Sequence, residues 1–215
     1  HQLRYKYALR NYQTGEEYES PQFIFMRIAM ALGEDHPLNR RMEDVVNWYQ
    51  MFSANIINAP TPNYTNLGTK LRGYASCCLY ESGDSANSLA VGDHIAYKMT
   101  VMSAGIGNNL NTRSKEDPVR GGMFLHRGKY WYLNSLRGAV ESNIKNGRNG
   151  ACTTFFSMFD PEQKLLVNLK NPMTPVDKQN MGLDYAWMGN KFLGRKVAKK
   201  EDVFLFNTFT APDLC

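Results

Sequence analysis

Apolar positions near the amino terminus recur at helical spacing and predict two helices. The first contains the run FIFMRIAMAL, which follows Ser20 and Pro21, and a serine followed by proline is typical of a helix start. The second covers residues 38–57, where apolar side chains return at roughly helical spacing. We expect the two helices to pack together as a helical layer over residues 1–57.

From residue 58 onward, short apolar runs alternate with polar segments. The segment APTPNYTNLGT predicts extended or turning chain, 108–122 predicts a loop, and NIKNGRNG predicts a mobile loop. Apolar runs predict strands at 74–80, 151–159, 183–189 and 202–207, and the intervening patterns predict helices over 85–103 and 129–143 and another that starts at Asp160. This alternation indicates a parallel α/β arrangement over residues 58–215. Because the strands are few for a closed barrel, we expect a partial barrel that needs more chain to close it.

Composition and charge limit the classes of function that the chain can have. The 215 residues carry a net charge of +5, which favours anionic ligands such as nucleotides. The basic residues are scattered apart from Arg40-Arg41 and RKVAKK at 195–200, so they make no case for DNA binding, and RKVAKK fits a solvated face. The sequence has no apolar run long enough for a transmembrane helix. Its 4 cysteines and 4 histidines lack paired metal-ligand spacing, so we expect no metal site and free thiols in a cytoplasmic protein.

Cys77 is the first candidate for a reactive residue. A thiol in an α/β crevice can donate a proton or hydrogen atom to a leaving hydroxyl and then form a disulfide with a second thiol. The alternative is that Cys77 is a small buried apolar residue of a strand. Cys78 offers no local disulfide partner, because adjacent side chains of a strand point to opposite faces.

Three further features have both a structural and a functional interpretation. The glycines of Ala104-Gly105-Ile106-Gly107 either end a helix or let the backbone approach a ligand closely. Asp84 and Ser85 are either a loop and a helix cap or ligand-binding groups. Arg113 and Arg120 are either solvated loop residues or phosphate ligands, because a guanidinium can bind phosphate through two hydrogen bonds.

Four motifs in this order resemble the large subunit of class I ribonucleotide reductase. They are Pro60-Thr61-Pro62, Ser76-Cys77, Gly83-Asp84-Ser85 and the AGIG segment at 104–107. The resemblance runs from about Tyr18 to Phe206. It implies a helical amino-terminal layer followed by the first part of a ten-stranded α/β barrel.

The resemblance also implies a substrate site. Thr61 and Ser76 would hydrogen-bond the phosphate and sugar of the substrate, and Gly105 would lie against it. Cys77 would be the catalytic thiol that helps expel the 2′-hydroxyl as water and becomes oxidised. Arg148, in the loop from 143 to 151 that relays effector identity, would face the substrate.

A specificity-effector site follows from the same resemblance. Asp84 would accept hydrogen bonds from the effector's deoxyribose or base, and Ser85 and Ala86 would help to hold the nucleotide. Arg113 and Arg120 would approach its phosphates. The ligands implied are nucleoside triphosphate effectors, and this chain itself would bind no cofactor.

The partners implied by the resemblance are the remaining part of the large subunit, a small subunit that generates a radical with a di-metal cofactor, and a reductant of the thioredoxin or glutaredoxin type. A homodimer through the effector site is also implied. The family's radical cysteine, its second redox cysteine and its ATP-cone have no counterpart in the sequence, so we expect no turnover by this chain alone. Two other interpretations remain open: part of a cobalamin-dependent ribonucleotide reductase, and a nucleotide-binding or assembly module without catalysis.

Overall fold

The computed structural model describes residues 2–11, 13–102, 104–145, 148–207, 211 and 213. Its contacts divide the chain into two compact units. The first contains His1–Ser76 with Met102–Ala104, and the second contains Cys77–Val101 with Gly105–Cys215. The boundary at 57/58 expected from the sequence stays a prediction.

The first unit is helical, and two of its helices are those that the apolar spacing predicted. Its helices are α1 (Gln2–Tyr7), α2 (Pro21–Gly33), α3 (Arg41–Ser53) and α4 (Thr61–Asn66). Ser20 occupies the cap position of α2, but its side chain makes no capping hydrogen bond. The core of this unit contains Ile24, Ile28 and Phe52, with Phe25 stacked on Phe52 at 6.2 Å between ring centroids.

Helix α4 corrects the prediction of extended or turning chain. Pro60 precedes the helix in an extended conformation, and Pro62 lies within its first turn. Proline is tolerated there because the first amides of a helix have no intrahelical acceptor. The buried ring of Tyr64 stacks on Tyr7 at 5.3 Å and ties α4 to α1.

The second unit has a sheet of four parallel strands in the order Cys77–Ser82, Gly105–Leu110, Cys152–Ser157 and Asp184–Met188, which confirms the α/β prediction. Its elements in chain order are β1 (Cys77–Ser82), α5 (Ala86–Val101), β2 (Gly105–Leu110), β3 (Pro118–Val119), β4 (Phe124–Leu125), α6 (Lys129–Glu141), β5 (Ile144–Lys145), β6 (Arg148–Asn149), β7 (Cys152–Ser157), α7 (Gln163–Leu166), a 3₁₀ turn (Val176–Lys178), β8 (Asp184–Met188) and α8 (Lys191–Lys199).

Helices α5 and α6 contribute to the core on one face of this sheet. Leu133, Leu136 and Val140 of α6 are fully buried there, together with Ile106 of β2 and Phe156 of β7. Since side chains alternate along a strand, every second residue of β1 lies on the opposite face. Leu79 is on that opposite face and is 82% exposed.

Three segments differ from the expectation. Gly105–Leu110 is strand β2 inside the sheet, although the glycines and asparagines of 104–109 predicted a helix break and a loop. Sheet hydrogen bonds on both sides outweigh the weak strand preference of these residues. Residues 202–207 form no strand, and the loop predicted at 143–151 contains the antiparallel pair β5–β6.

Candidate functional site

Cys77 and Gly105 lie directly opposite each other at the amino ends of β1 and β2. Because the strands are parallel and paired in register, the two residues share one face of the sheet. Gly105 begins a strand, so it is not the helix-ending glycine of the alternative interpretation. The structure therefore places an exposed sulfur beside a residue without a side chain.

The three described cysteines differ in accessibility. Cys77 is exposed, so the alternative of a buried core residue is wrong for it. Cys78 points to the other face, where its Sγ lies 3.4 Å from Sδ of Met99. Cys152 is buried, and burial raises the pKa of its thiol to about 11 although a hydrogen bond with Thr154 lowers it. Among these cysteines, Cys77 is the exposed one.

Thr61 and Ser76, the other predicted substrate ligands, belong to the first unit. Thr61 begins α4, and its Oγ1 lies 3.3 Å from Oη of Tyr7. Arg27 holds this helix, because its guanidinium donates to the carbonyl oxygens of Tyr64, at 2.9 Å, and Leu67. Ser76 is half-buried at the end of the unit. Arg148 lies in β6, and its side chain is outside the described part of the structure.

Asp84 and Arg113 form an ion pair beyond the carboxyl ends of β1 and β2. The backbone N–H of Arg113 donates to Oδ1 of Asp84 at 2.7 Å, and its Nε donates to Oδ2 at 2.5 Å. A carboxylate has about four acceptor sites, so Asp84 retains acceptor capacity for a ligand. The structure thus brings together two of the predicted effector ligands.

Ser85 and Ala86 form the start of α5. The Oγ of Ser85 accepts a hydrogen bond from the backbone N–H of Ser88 at 3.1 Å, so Ser85 caps the helix as its residue type predicted. Arg120 lies between β3 and β4 with a left-handed backbone (φ +51°), and its guanidinium is 5.8 Å from the ring centre of Phe124.

The loop that carries Arg113 is attached to a buried lysine that the sequence analysis missed. Nζ of Lys129 lies 2.8 Å from Oδ2 of Asp160 and 4.0 Å from Oε2 of Glu162. It also donates to Oγ of Ser114 at 3.0 Å and to the carbonyl oxygen of Arg113 at 3.3 Å. Its side chain is 1% exposed. No sequence signal distinguishes Lys129 from a solvated lysine at the start of a helix.

Glu162 is the second acid of this cluster. Its carboxylate accepts hydrogen bonds from the backbone N–H groups of Lys129 and Lys115 at 3.1 Å. Gly128 permits this approach, because a side chain there would collide with the carboxylate. Burial raises the pKa of Glu162, although the Lys129 amide and charge lower it.

A cavity of about 190 Å³ borders the same loop. It lies at the carboxyl ends of β2, β7 and β8, and its lining includes Asn109, Thr112, Ser157 and Asp160. Asp160 therefore contacts both the cavity and the lysine.

Metal and membrane features are absent from the described residues. No group of three His, Cys, Asp or Glu side chains within the described ranges is placed to hold a metal ion. None of the helices found there combines the length and the apolar character needed to cross a membrane.

Comparison with protein families gives two matches that cover almost the whole chain. Residues 1–72 match the family described as "Ribonucleotide reductase, all-alpha domain". Residues 75–214 match the family described as "Ribonucleotide reductase, barrel domain".

Individual relatives extend these matches. The chain is 34% identical over 215 residues to ribonucleoside-diphosphate reductase 1 subunit alpha of Escherichia coli K12, covering 99% of this chain and 28% of that protein. It is 31% identical over 208 residues to the subunit alpha of Enterobacteria phage T4, covering 96% of this chain and 28% of that protein. The ribonucleoside-diphosphate reductase large subunit of Ostreid herpesvirus 1 is 34% identical to this chain over 96 residues, which is 44% of this chain and 11% of that protein.

Proposed function

This chain belongs to the ribonucleotide reductase large-subunit family, and from that premise we propose that it supplies part of the substrate site and the effector site of a ribonucleoside-diphosphate reductase. The chain spans 28% of the length of the E. coli and phage T4 relatives, so the proposed enzyme includes further chain. One observation carries the proposal. In the part of the chain that matches the barrel-domain family, the exposed thiol of Cys77 lies opposite Gly105, the first residue of strand β2.

The proposed reaction replaces the 2′-hydroxyl of a ribonucleotide with hydrogen and releases water. Two thiols supply the two electrons and end as a disulfide. Cys77 is one of these thiols, and we assign the second to the remaining part of the large subunit. Thr61 and Ser76 bind the phosphate and sugar, Gly105 leaves space for the substrate, and Arg148 faces it.

The proposed effector site begins at the other end of β1. Asp84, Ser85 and Ala86 hold the nucleoside of a triphosphate effector, and Arg113 and Arg120 bind its phosphates. The Asp84–Arg113 contact supports this assignment, because it fixes a guanidinium beside a carboxylate that retains acceptor sites. A homodimer through this site belongs to the same proposal.

The other proposed partners supply the radical and the electrons. A small subunit with a di-metal cofactor provides the radical, and a reductant of the thioredoxin or glutaredoxin type reduces the disulfide. Cytoplasmic location is part of the proposal, since Cys77, Cys78 and Cys152 are free thiols.

Reconstitution tests the proposal. The chain is combined with the remaining part of a class I large subunit, a radical-generating subunit and a dithiol reductant, and deoxynucleotide formation is measured. We expect Cys77→Ser to lower turnover at least about a thousandfold, because this sulfur takes part in the redox step, whereas Cys78→Ser serves as the matched control. Equal rates for both variants would contradict the role of Cys77, and turnover by the isolated chain would contradict the need for further chain.

A second candidate function is a nucleotide-binding or assembly module without catalysis. The hydrogen-bonded Asp84–Arg113 pair favours this function, because both residues of the pair belong to this chain. Titration calorimetry with a deoxynucleoside triphosphate, repeated with Asp84→Ala, tests it. Binding that weakens in the variant, without turnover in the reconstituted assembly, would favour the module.

A further inference from the structure

Lys129 is a fully buried cation at an unfavourable place in a helix. It is the first residue of α6, where the helix dipole disfavours positive charge, and burial of an ammonium is costly. Asp160 at 2.8 Å compensates the charge. A solvated side chain at this position would avoid the cost of burial, so the contacts of Nζ require a specific explanation.

Those contacts converge on the loop that carries Arg113. Nζ donates to the carbonyl oxygen of Arg113 and to the hydroxyl of Ser114. Ser114 is 1% exposed, and its hydroxyl also lies 3.3 Å from Oδ1 of Asp160. The lysine and the acid therefore hold the same residue of the loop.

Asp84 holds the loop from the opposite side. It accepts from the amide and from Nε of Arg113, while Lys129 binds the carbonyl oxygen of the same residue. Arg113 is thereby fixed on both sides of its Cα, although its side chain remains 36% exposed.

We propose that Lys129, paired with Asp160, is a positioning residue that fixes Arg113 for phosphate binding without touching the nucleotide. This inference rests on the proposed effector role of Arg113. A guanidinium held in place before binding loses less freedom when phosphate arrives, so the pair increases affinity for the triphosphate.

The test uses the full chain and a paired substitution. Lys129→Met with Asp160→Asn removes both charges of the pair, and asparagine keeps an oxygen that can accept from Ser114 and from the Glu162 amide. Binding of dATP is measured by calorimetry for the unaltered chain, this pair variant, Arg113→Ala and the combination of all three changes. Melting temperatures show that each variant is folded.

We expect the pair variant to weaken dATP binding on the order of tenfold, about as much as Arg113→Ala. The combined variant should bind no more weakly than Arg113→Ala, because Lys129 acts through Arg113. Independent effects that multiply, or unchanged binding by the pair variant, would overturn the inference.

Amide hydrogen exchange gives a readout that needs no nucleotide. The amides of Ser114 and Lys115 donate to Asp117 and Glu162 at 2.6 and 3.1 Å, and we expect both to exchange faster in the pair variant while Leu79 in β1 is unchanged. If the unaltered chain binds no dATP, the proposed effector site fails. Unchanged exchange at Ser114 and Lys115 would show separately that Lys129 does not hold the loop.

Discussion

The two ends of the parallel sheet are built differently. At the amino end, Cys77 is exposed beside Gly105. At the carboxyl end, about 17 Å away along a strand of this length, Asp84, Arg113 and Lys129 belong to a continuous set of ion pairs and hydrogen bonds. The carboxyl end thus holds the groups of the proposed effector site by internal contacts, whereas the amino end presents one exposed thiol among the described residues.

This difference bears on how much of each proposed site the chain supplies. Preorganised groups bind a ligand at a lower entropic cost, and the carboxyl end has that character. A dithiol reaction needs a second sulfur, and Cys77 is the one exposed cysteine in the described residues. We therefore expect effector binding to survive in the isolated chain and catalysis to require the complementary chain.

The largest expected effect on stability comes from removing a buried charge at the carboxyl end of the sheet. Lys129→Met leaves Asp160 and Glu162 buried without their cation, so we expect the free energy of unfolding to fall by about 3–5 kcal/mol. Urea denaturation measures it. Lys115→Met is the control, since Lys115 is 65% exposed and its ion-pair partner Glu116 is exposed as well. Adding Asp160→Asn should restore part of the lost stability. Equal losses for Lys129→Met and Lys115→Met would show that the buried pair contributes no more to the free energy of unfolding than an exposed lysine does.

Thiol alkylation tests how accessible Cys77 is at the amino end of the sheet. With Cys215 replaced by serine in every variant, we expect Cys77 to react with iodoacetamide on the order of a hundredfold faster than Cys152 at pH 8, because Cys152 is buried and its pKa is raised to about 11. Peptide mass spectrometry follows the labelling. Cys78→Ser isolates the Cys77 signal from its neighbour, and comparable rates at Cys77 and Cys152 would contradict the open amino end.

The sequence predicted some elements of the fold and missed others. Helical spacing and alternating runs were enough for α2, α3, α6, β7 and the parallel sheet, because these patterns follow from burial on one face. Strand β2 was missed, since its glycines and asparagines carry no strand preference and pairing on both sides decides its structure.

The candidate site shows the same limit. Ser85 was identified as a cap because a cap is local, and the Asp84–Arg113 neighbourhood came only through resemblance to a known family. General rules place ligands at the carboxyl ends of parallel strands, so nothing in them points to Cys77 at the amino end. Lys129 was missed because its partners Ser114 and Asp160 are distant in sequence, and a buried lysine looks like a solvated one until the fold is known.

A pH-dependent effect tests whether burial or pairing dominates at Glu162. The folded-state pKa of this carboxyl is raised, so the native state binds its proton more tightly than the unfolded state and stability falls as pH rises above about 4.5. Glu162→Gln removes that titration. We expect the variant to gain stability relative to the unaltered chain as pH rises from 4 to 7, measured by urea denaturation. A relative loss over the same interval would mean that the Lys129 charge outweighs burial.

The smallest expected effect concerns Gly107, in the strand that begins at Gly105. An added Cβ would collide with Cδ2 of Leu79 and meet Cε2 of Phe155 at 3.5 Å. The Leu79 side chain is 82% exposed and can turn aside, so we expect Gly107→Ala to change the free energy of unfolding by about 0.5 kcal/mol or less. Gly128→Ala is the matched change at the carboxyl end, where the collision is with the hydrogen-bonded carboxylate of Glu162 and φ is +94°. Its cost should be about 1–3 kcal/mol, because both the backbone conformation and the carboxylate resist the new side chain. Urea denaturation of the two variants compares strand β2 with the carboxyl end of the sheet, and equal costs would mean that β2 at Gly107 is as tightly constrained as the carboxyl end.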